Sequence, residues 1–306
     1  MENSVVLSVI TPTRGNFSEF WLQQLFNIQG SVEFILVYPP QETPKVIEDP
    51  RLKIISSPYK GEVIQRGTGL VNATGQYIIA LDDDDYLHPN TVDLLLDYFH
   101  HYPESWCLRL KKNKFYYDDE VNIKRDWDTL PQIKSMTVVS KCRDEHDKNK
   151  ILQELPIAPL DNHFKLISLW FNTHRTDHHG AHIENFNNII WKSSLVKSAI
   201  TDLFQGTQFY GPLTWMPFWS LDRLLGLYIQ AKFFRDSLIV GHWLRGDSEQ
   251  VRYITRPSSM KEVRTMFPAD MLLALRFPKY GYFWNLFFDE FWIAVKTTLR
   301  TQVRKK

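Results

Sequence analysis

Cysteine is scarce in this 306-residue chain. Two residues, Cys107 and Cys142, are too few for a disulfide framework or a four-cysteine zinc site. Charge of one sign is missing as well. The 36 basic side chains stand against 35 acidic ones, so no global field marks a nucleic-acid binder. No apolar run approaches the ~20 residues that span a bilayer. The opening MENSVVLSVITPTRG has neither the basic start nor the apolar length of a secretory leader. The expectation is a cytoplasmic, mostly folded protein. What is present is an ordinary globular balance, 43% hydrophobic and 23% charged, which argues against extended disorder. The length fits two domains, or one α/β domain with a long tail. Ten tryptophans are enough to line a sugar or lipid site, and large cores use aromatics too.

The first third alternates strand and helix. Residues 5–10 form an apolar run ended by the TPTRG turn, which predicts a buried strand. A helix follows over 18–28, stopped by Gly30, and further strands are expected at 34–38 and 52–55. Residues 61–72 predict a helix, weakened by Gly67 and Gly69. The strand 77–81 runs straight into Asp82, Asp83, Asp84 and Asp85. Pro89 opens a helix to about residue 102, with Asn90 as a candidate cap. This alternation predicts an α/β fold with a mainly parallel sheet flanked by helices, in which ligands sit beyond the carboxyl ends of the strands. Residues 111–165 are less regular, and the mixed charges of 141–150 suit a solvated surface. Order returns with a strand at 188–191, helices at 194–203 and 220–231, and a strand at 238–240. From Pro257 the chain is expected to be helical.

The four aspartates carry most of the chemistry. Two carboxylates about 4 Å apart repel by about 1 kcal/mol in water and about 4 kcal/mol at an effective dielectric of 20. Gathering four beyond a strand calls for a compensating positive charge. Mg²⁺ or Mn²⁺ supplies it, held by one or two carboxylates plus substrate phosphates. A turn beginning at Asp84 would point Asp84 and Asp85 into the crevice. A solvated acidic turn that caps the next helix is the competing reading.

SVITPTRG (8–15) and QRGTGLVNATGQYIIALDDDDYLHP (65–89) together resemble family 2 glycosyltransferases of the GT-A fold. The resemblance implies a Rossmann-like, mainly parallel mixed sheet and a helical tail. Residues 1–105 would form the nucleotide-sugar half of the domain, 106–250 the acceptor half and 251–306 the extension. It implies an enzyme that moves a sugar from a nucleotide-diphosphate donor, UDP-linked favoured, to a carbohydrate or lipid-linked acceptor, with inversion and with Mn²⁺ or Mg²⁺ as cofactor. Asp84 and Asp85 match the pair that contacts the ribose and the metal, Asp82 the leading Asp of that motif, Arg66 a residue near the donor, and Pro12 and Thr13 the loop that approaches the base. The family usually ends its second strand with acids. Here Val37, Tyr38, Pro39 and Pro40 stand there, and Tyr38 is offered instead as a stacking partner for the base. Gly67 replaces the usual Asn after Arg66.

WMPFWSLDRLLGLYIQA (215–231) resembles the segment that holds the family's catalytic acid, with Asp222 as the match. An inverting transfer needs one base for the acceptor hydroxyl, and burial can raise a carboxyl toward the working pH. The family's Glu-Asp pair is here Leu221–Asp222. A charge placed at a helix start by the helix dipole is the alternative. Trp215, Phe218 and Trp219 offer an acceptor platform or simply loop packing. HWLRGDS (242–248) contributes His242 as a metal ligand or diphosphate contact and Arg245 as a phosphate contact. His174, His178, His179 and His182 form a rival cluster, although Gly180 interrupts the His178/His182 zinc spacing. The aromatic tail 282–295, followed by Arg300, Arg304, Lys305 and Lys306, suits either packing within the protein or peripheral contact with the inner face of an anionic membrane. A non-catalytic nucleotide-sugar-binding protein and a sugar-phosphate nucleotidyltransferase remain alternatives. The TPTRGN turn is sparse for the latter, which needs a glycine-rich basic loop.

Overall fold

A computed structural model describes residues 4–140, 150–171, 181–206, 216, 218–246, 248–255 and 266–303, with backbone alone at 205–206, 218–219 and 297–303. In chain order the elements are β1 (Leu7–Pro12), α1 (Glu19–Phe26), β2 (Val32–Tyr38), β3 (Leu52–Ser56), α2 (Glu62–Asn72), β4 (Tyr77–Ala80), β5 (Tyr86–Leu87), α3 (Thr91–His101), β6 (Cys107–Arg109), β7 (Lys112–Tyr116), α4 (Glu120–Lys124), β8 (Thr137–Val139), β9 (Ile151–Pro156), β10 (Ile189–Lys192), α5 (Ser193–Gly206), α6 (Phe218–Lys232), β11 (Ile239–Leu244), β12 (Val251–Thr255), α7 (Phe267–Arg276) and α8 (Gly281–Val303).

Contacts divide the chain into two units. The first comprises Met1–Leu155, Asn187–Trp215 and Ile239–Met260; the second comprises Pro156–Phe186, Met216–Leu238 and Lys261–Lys306. This division differs from the sequence-based thirds. β6, β10 and β11 pair into the same sheet as β1 and β4, and β12 pairs with β5 and β7, so neither 105/106 nor 250/251 separates the contacts.

Among the described residues the first unit holds a nine-stranded sheet in the order β3-β2-β1-β4-β10-β6-β11-β9-β8. It is mainly parallel, as expected; β10 runs antiparallel to β4 and β6, and the bonds Arg245 N to Ile151 O and Ile157 N to Leu238 O set β9, with its parallel neighbour β8, antiparallel to β11. The long apolar runs form its centre because they are covered on both faces. Leu7, Val9, Phe34, Leu36, Ile79, Leu108 and Ile190 join Trp21 and Leu25 of α1 and Leu95 and Tyr98 of α3 in one buried cluster. On the opposite face, α2 approaches β1 and β2 closely. A Cβ on Gly69 would strike Ile10 Cγ2 and lie 3.0 Å from Val37 Cγ2, and one on Gly67 would lie 2.6 Å from Phe204 Cζ of α5. The two glycines that weakened the helix expectation therefore serve its packing.

One buried acid fastens this half. Glu33 of β2 is 3% exposed. Its Oε1 accepts from Ser8 Oγ (2.6 Å), Thr74 N (2.5 Å) and Gly75 N (3.1 Å), and Oε2 pairs with Lys53 Nζ at 2.5 Å. Burial pushes its carboxyl up, but the bonds from Lys53, Ser8 and Thr74 outweigh that and hold it below the usual range. The clip joins β1, β2 and β3 to the turn that launches β4. Asn90 precedes α3, but its side chain makes no capping bond. Thr91 Oγ1 instead donates to His88 O at 2.6 Å.

In the second unit, Arg223 of α6 pairs with Glu184 (3.0 Å), Asp270 of α7 (3.4 Å) and Glu290 of α8 (3.5 Å). Tyr282, Phe283 and Leu286 are fully buried, so the first turns of the aromatic tail pack within the unit. Phe291 and Ile293 are exposed. No helix among the described residues is long and apolar enough to cross a membrane.

Candidate active site

The aspartates sit where β4 ends, at the carboxyl edge of the central strands. Leu81 N still donates to Ile10 O (3.0 Å), and Asp85 N then closes a turn onto Asp82 O (3.1 Å). The turn begins at Asp82 rather than Asp84, so the four carboxylates separate instead of aligning. Asp82 pairs with Arg66. Asp83 Oδ2 accepts from Thr13 Oγ1 at 2.6 Å. Asp84 is half-buried at the corner.

Asp85 turns inward and is 1% exposed. Trp21 Nε1 donates to its backbone carbonyl (2.9 Å) and Ile254 N of β12 to its Oδ1 (2.9 Å). Its Oδ2 is buried without a hydrogen-bond partner among the described residues. Burial first, then the charge of Asp82, pushes the carboxyl up to about 8. β12 is held in place by Arg252, whose guanidinium donates to Glu249 Oε2 (2.8 Å) and to the carbonyls of Ile123 (2.7 Å), Arg125 (2.9 Å) and Asp126 (3.1 Å). Arg252 also stacks on Trp127 at 3.9 Å.

The loop after β1 meets the same edge. Pro12 closes β1 in register with Val37. Thr13 N donates to Val37 O (3.0 Å), and Gly15 N donates to Thr13 Oγ1 (2.9 Å). Gly15 has φ +80°, and a Cβ there would lie 3.2 Å from the Tyr38 ring. Gln65, which the sequence did not single out, donates to Thr13 O (3.1 Å) and Val37 O (2.7 Å) and ties the two strand ends together. Arg66 is 2% exposed and donates also to Glu62 (3.3 Å) and Asn187 (3.4 Å). Tyr38 was expected to stack on a base. It is fully buried in the core, so its ring offers no open face.

His242 does not join the aspartates. β11 lies three strands from β4, roughly 14 Å at ~4.8 Å per strand. Its Nδ1 shares a 2.8 Å hydrogen bond with Tyr98 OH, and its ring packs on Tyr102 at 4.5 Å. Arg245 follows directly after the same strand, donating to Gln153 Oε1 (2.7 Å) and stacking on Trp243 (4.3 Å). Asp222 belongs to the second unit, is 8% exposed, and accepts Phe186 N at its carbonyl (3.0 Å). α6 begins at Phe218, so Asp222 lies in the second turn and does not open the helix.

Trp215, His174, His178 and His179, and the side chains of Phe218 and Trp219, lie outside the described residues. His182 Nε2 is engaged by Tyr282 OH at 3.3 Å, with Glu184 at 3.7 Å. No group of three or more His, Cys, Asp or Glu poised for a metal occurs among the described residues.

Residues 30–162 match the family model described as glycosyl transferase family 2. The matched segment contains Arg66 and the four aspartates. The match ends before Asp222, His242 and Arg245. Among solved structures, S. aureus TarS 1-349 in complex with UDP-GlcNAc is similar at a TM-score of 0.49 and 14% identity, covering 89% of this chain and 66% of that one. The UDP complex of TarS 1-349 gives 0.49 and 15%, covering 89% and 70%. S. aureus TarS gives 0.49 and 14%, covering 89% and 39%. This chain thus spans about two thirds or less of most of these relatives. No curated protein matches the sequence.

Proposed function

We propose that the chain is a glycosyltransferase that moves a sugar from a nucleotide-diphosphate donor, UDP-linked by preference, to an acceptor hydroxyl with inversion. The observation that carries this reading is the carboxylate turn at the end of β4, inside the segment matched to glycosyl transferase family 2. Asp85 Oδ2, buried and without a hydrogen-bond partner, suits a cation. Two carboxylates suffice for Mg²⁺ or Mn²⁺ when phosphate oxygens and water complete the shell. Asp84 and Asp85 would hold it. Such a cation stabilises the charge on a departing diphosphate.

The remaining roles belong to the chain's own groups. Thr13 and Gln65 fix the loop after β1, and Arg66 holds Asp82. Asp222 is the base that takes the acceptor proton, an assignment that rests on the family resemblance. The buried Tyr38 leaves the base of the nucleotide to contacts other than stacking on its ring. A carbohydrate or lipid-linked acceptor, with peripheral membrane contact through the tail, fits the exposed Phe291 and Ile293.

The test is thermal unfolding against a panel of nucleoside diphosphates and nucleotide sugars, with and without Mn²⁺. A ligand at one hundred times its Kd adds about 2.7 kcal/mol. The reading expects a shift for one nucleotide that needs Mn²⁺. No shift with any member of the panel would overturn it.

A further inference from the structure

β4 and β6 each run antiparallel to β10, and β11 runs parallel to β6. The carboxyl ends of β4, β6 and β11 therefore share one edge of the sheet. At the ends of β6 and β11 a cavity of about 280 Å³ opens, lined by Arg109, Lys111, Lys112, Trp243 and Arg245 together with Leu110 and Gly246. Among the described residues that is four basic side chains and no acidic one. Arg109 and Trp243 are register partners, and the Arg109 and Arg245 guanidinium groups both stack on the Trp243 ring, at 4.4 and 4.3 Å. Arg245 and Lys111 are steadied by neutral groups, Arg245 donating to Gln153 and Lys111 to the Gly246 carbonyl. The Lys112 ammonium lies 5.0 Å from the Tyr253 ring centroid and its charge also bears on Asp85. Burial and the neighbouring Arg245 both work against the charge on Arg109. Holding like charges this close in a half-buried cleft is costly unless an anion enters it.

We infer that this pocket binds a phosphate group carried by the acceptor, whose reactive hydroxyl then extends toward the aspartates. Two planar guanidinium forks and two ammonium groups suit a phosphate oxygen cluster. The Trp243 stacking fixes both forks before the ligand arrives, which lowers the cost of binding. β6 lies two strands from β4, about 10 Å at ~4.8 Å per strand, and the charge of the lining Lys112 bears on Asp85, so the pocket adjoins the turn proposed to hold the donor diphosphate. The inference rests on that reading of the turn.

The test uses the full chain with inorganic phosphate, glycerol 3-phosphate and UDP–Mn²⁺ as probes, read by calorimetry. Glycerol 3-phosphate should bind, and Arg109→Gln should weaken it about tenfold or more, the loss expected for one charge-assisted hydrogen bond. Lys111→Gln, a milder change, should weaken it in the same direction. UDP–Mn²⁺ binding should survive both substitutions and be lost in Asp84→Asn/Asp85→Asn, which should retain glycerol 3-phosphate. Co-sedimentation with phosphatidylglycerol but not phosphatidylcholine vesicles, reduced by Arg109→Gln, would place the phosphate on a lipid. Its absence alongside glycerol 3-phosphate binding would place it on a soluble acceptor, and either result supports the pocket. Loss of UDP–Mn²⁺ binding in Arg109→Gln, with glycerol 3-phosphate unchanged, would overturn the inference and assign the pocket to the donor. So would failure of both phosphate probes to bind. Glycerol 3-phosphate binding that depends on Arg109, with no UDP binding at all, would refute the donor reading and with it the acceptor role.

Discussion

Glu33 offers a sharp test of how the strands beneath the site are fastened. In Glu33→Ala, the Ser8 hydroxyl, fully buried, and the Thr74 N–H lose their acceptor, whereas Gly75 N keeps Ser8 Oγ at 2.8 Å. Each orphaned buried group costs about 1–3 kcal/mol, so the two together cost ~2–6 kcal/mol. Lys53 is 45% exposed on its side chain and turns to water, adding little. Glu33→Gln keeps an acceptor oxygen and forfeits only the charge assistance, about 1–2 kcal/mol. The acid dependence has a definite sign. A carboxyl held below its ordinary value gives its full stabilisation above the unfolded pKa of about 4.3 and loses it as the pH falls through the lower folded value. The gap between wild type and Glu33→Gln should therefore be constant above about pH 5 and close in acid. Urea unfolding followed by tryptophan fluorescence across that range measures it. A Glu33→Ala variant within about 0.5 kcal/mol of wild type, or a gap that widens in acid, would refute the reasoning.

Other outcomes follow from the same contacts. Gly69→Ala gains about 1 kcal/mol of helix propensity, but its methyl strikes Ile10 Cγ2 and overpacking costs about 1–3 kcal/mol; the unfolding midpoint should fall, and a rise would contradict the close approach of α2. Asp85, pushed up to about 8 by burial and Asp82, is largely a neutral acid at pH 7. Asp85→Asn should therefore leave the cation-free midpoint nearly unchanged while abolishing any Mn²⁺-dependent shift, both read in one thermal scan. Arg252→Met removes one of the two guanidinium partners of the fully buried Glu249, leaving Arg125, and should cost about 1.5–3 kcal/mol, the worth of a hydrogen bond to a charged group, with amide exchange accelerating first at Ile254, the donor to Asp85; protection there equal to wild type would count against the β12 anchor.

The sheet's first strands were legible because 5–10, 34–38 and 77–81 are apolar runs that only a doubly covered strand explains. β6 and β8 were not, because three residues carry no period, and β7 alternates in a lysine-rich stretch that reads as surface. The glycines of α2 lowered its helix signal because the sequence does not reveal that Ile10 and Phe204 press on them. The aspartates were legible as a cluster, but their division was not. Asp85 turns inward because a backbone N–H 169 residues away meets it, and Asp82 is drawn off by Arg66. Tyr38 read as a ligand contact from its place at a strand end, yet Gly15 and Lys45 close over it. Arg109 comes from a separate segment that only strand pairing brings to Trp243 and Arg245.

The most direct test of the central claim is calorimetric titration of UDP into wild type and Asp84→Asn/Asp85→Asn, with and without Mn²⁺. The account predicts binding in wild type that requires Mn²⁺ and disappears in the variant, while the variant unfolds at the wild-type midpoint. Binding of equal strength in both proteins, or binding indifferent to the cation, would contradict it.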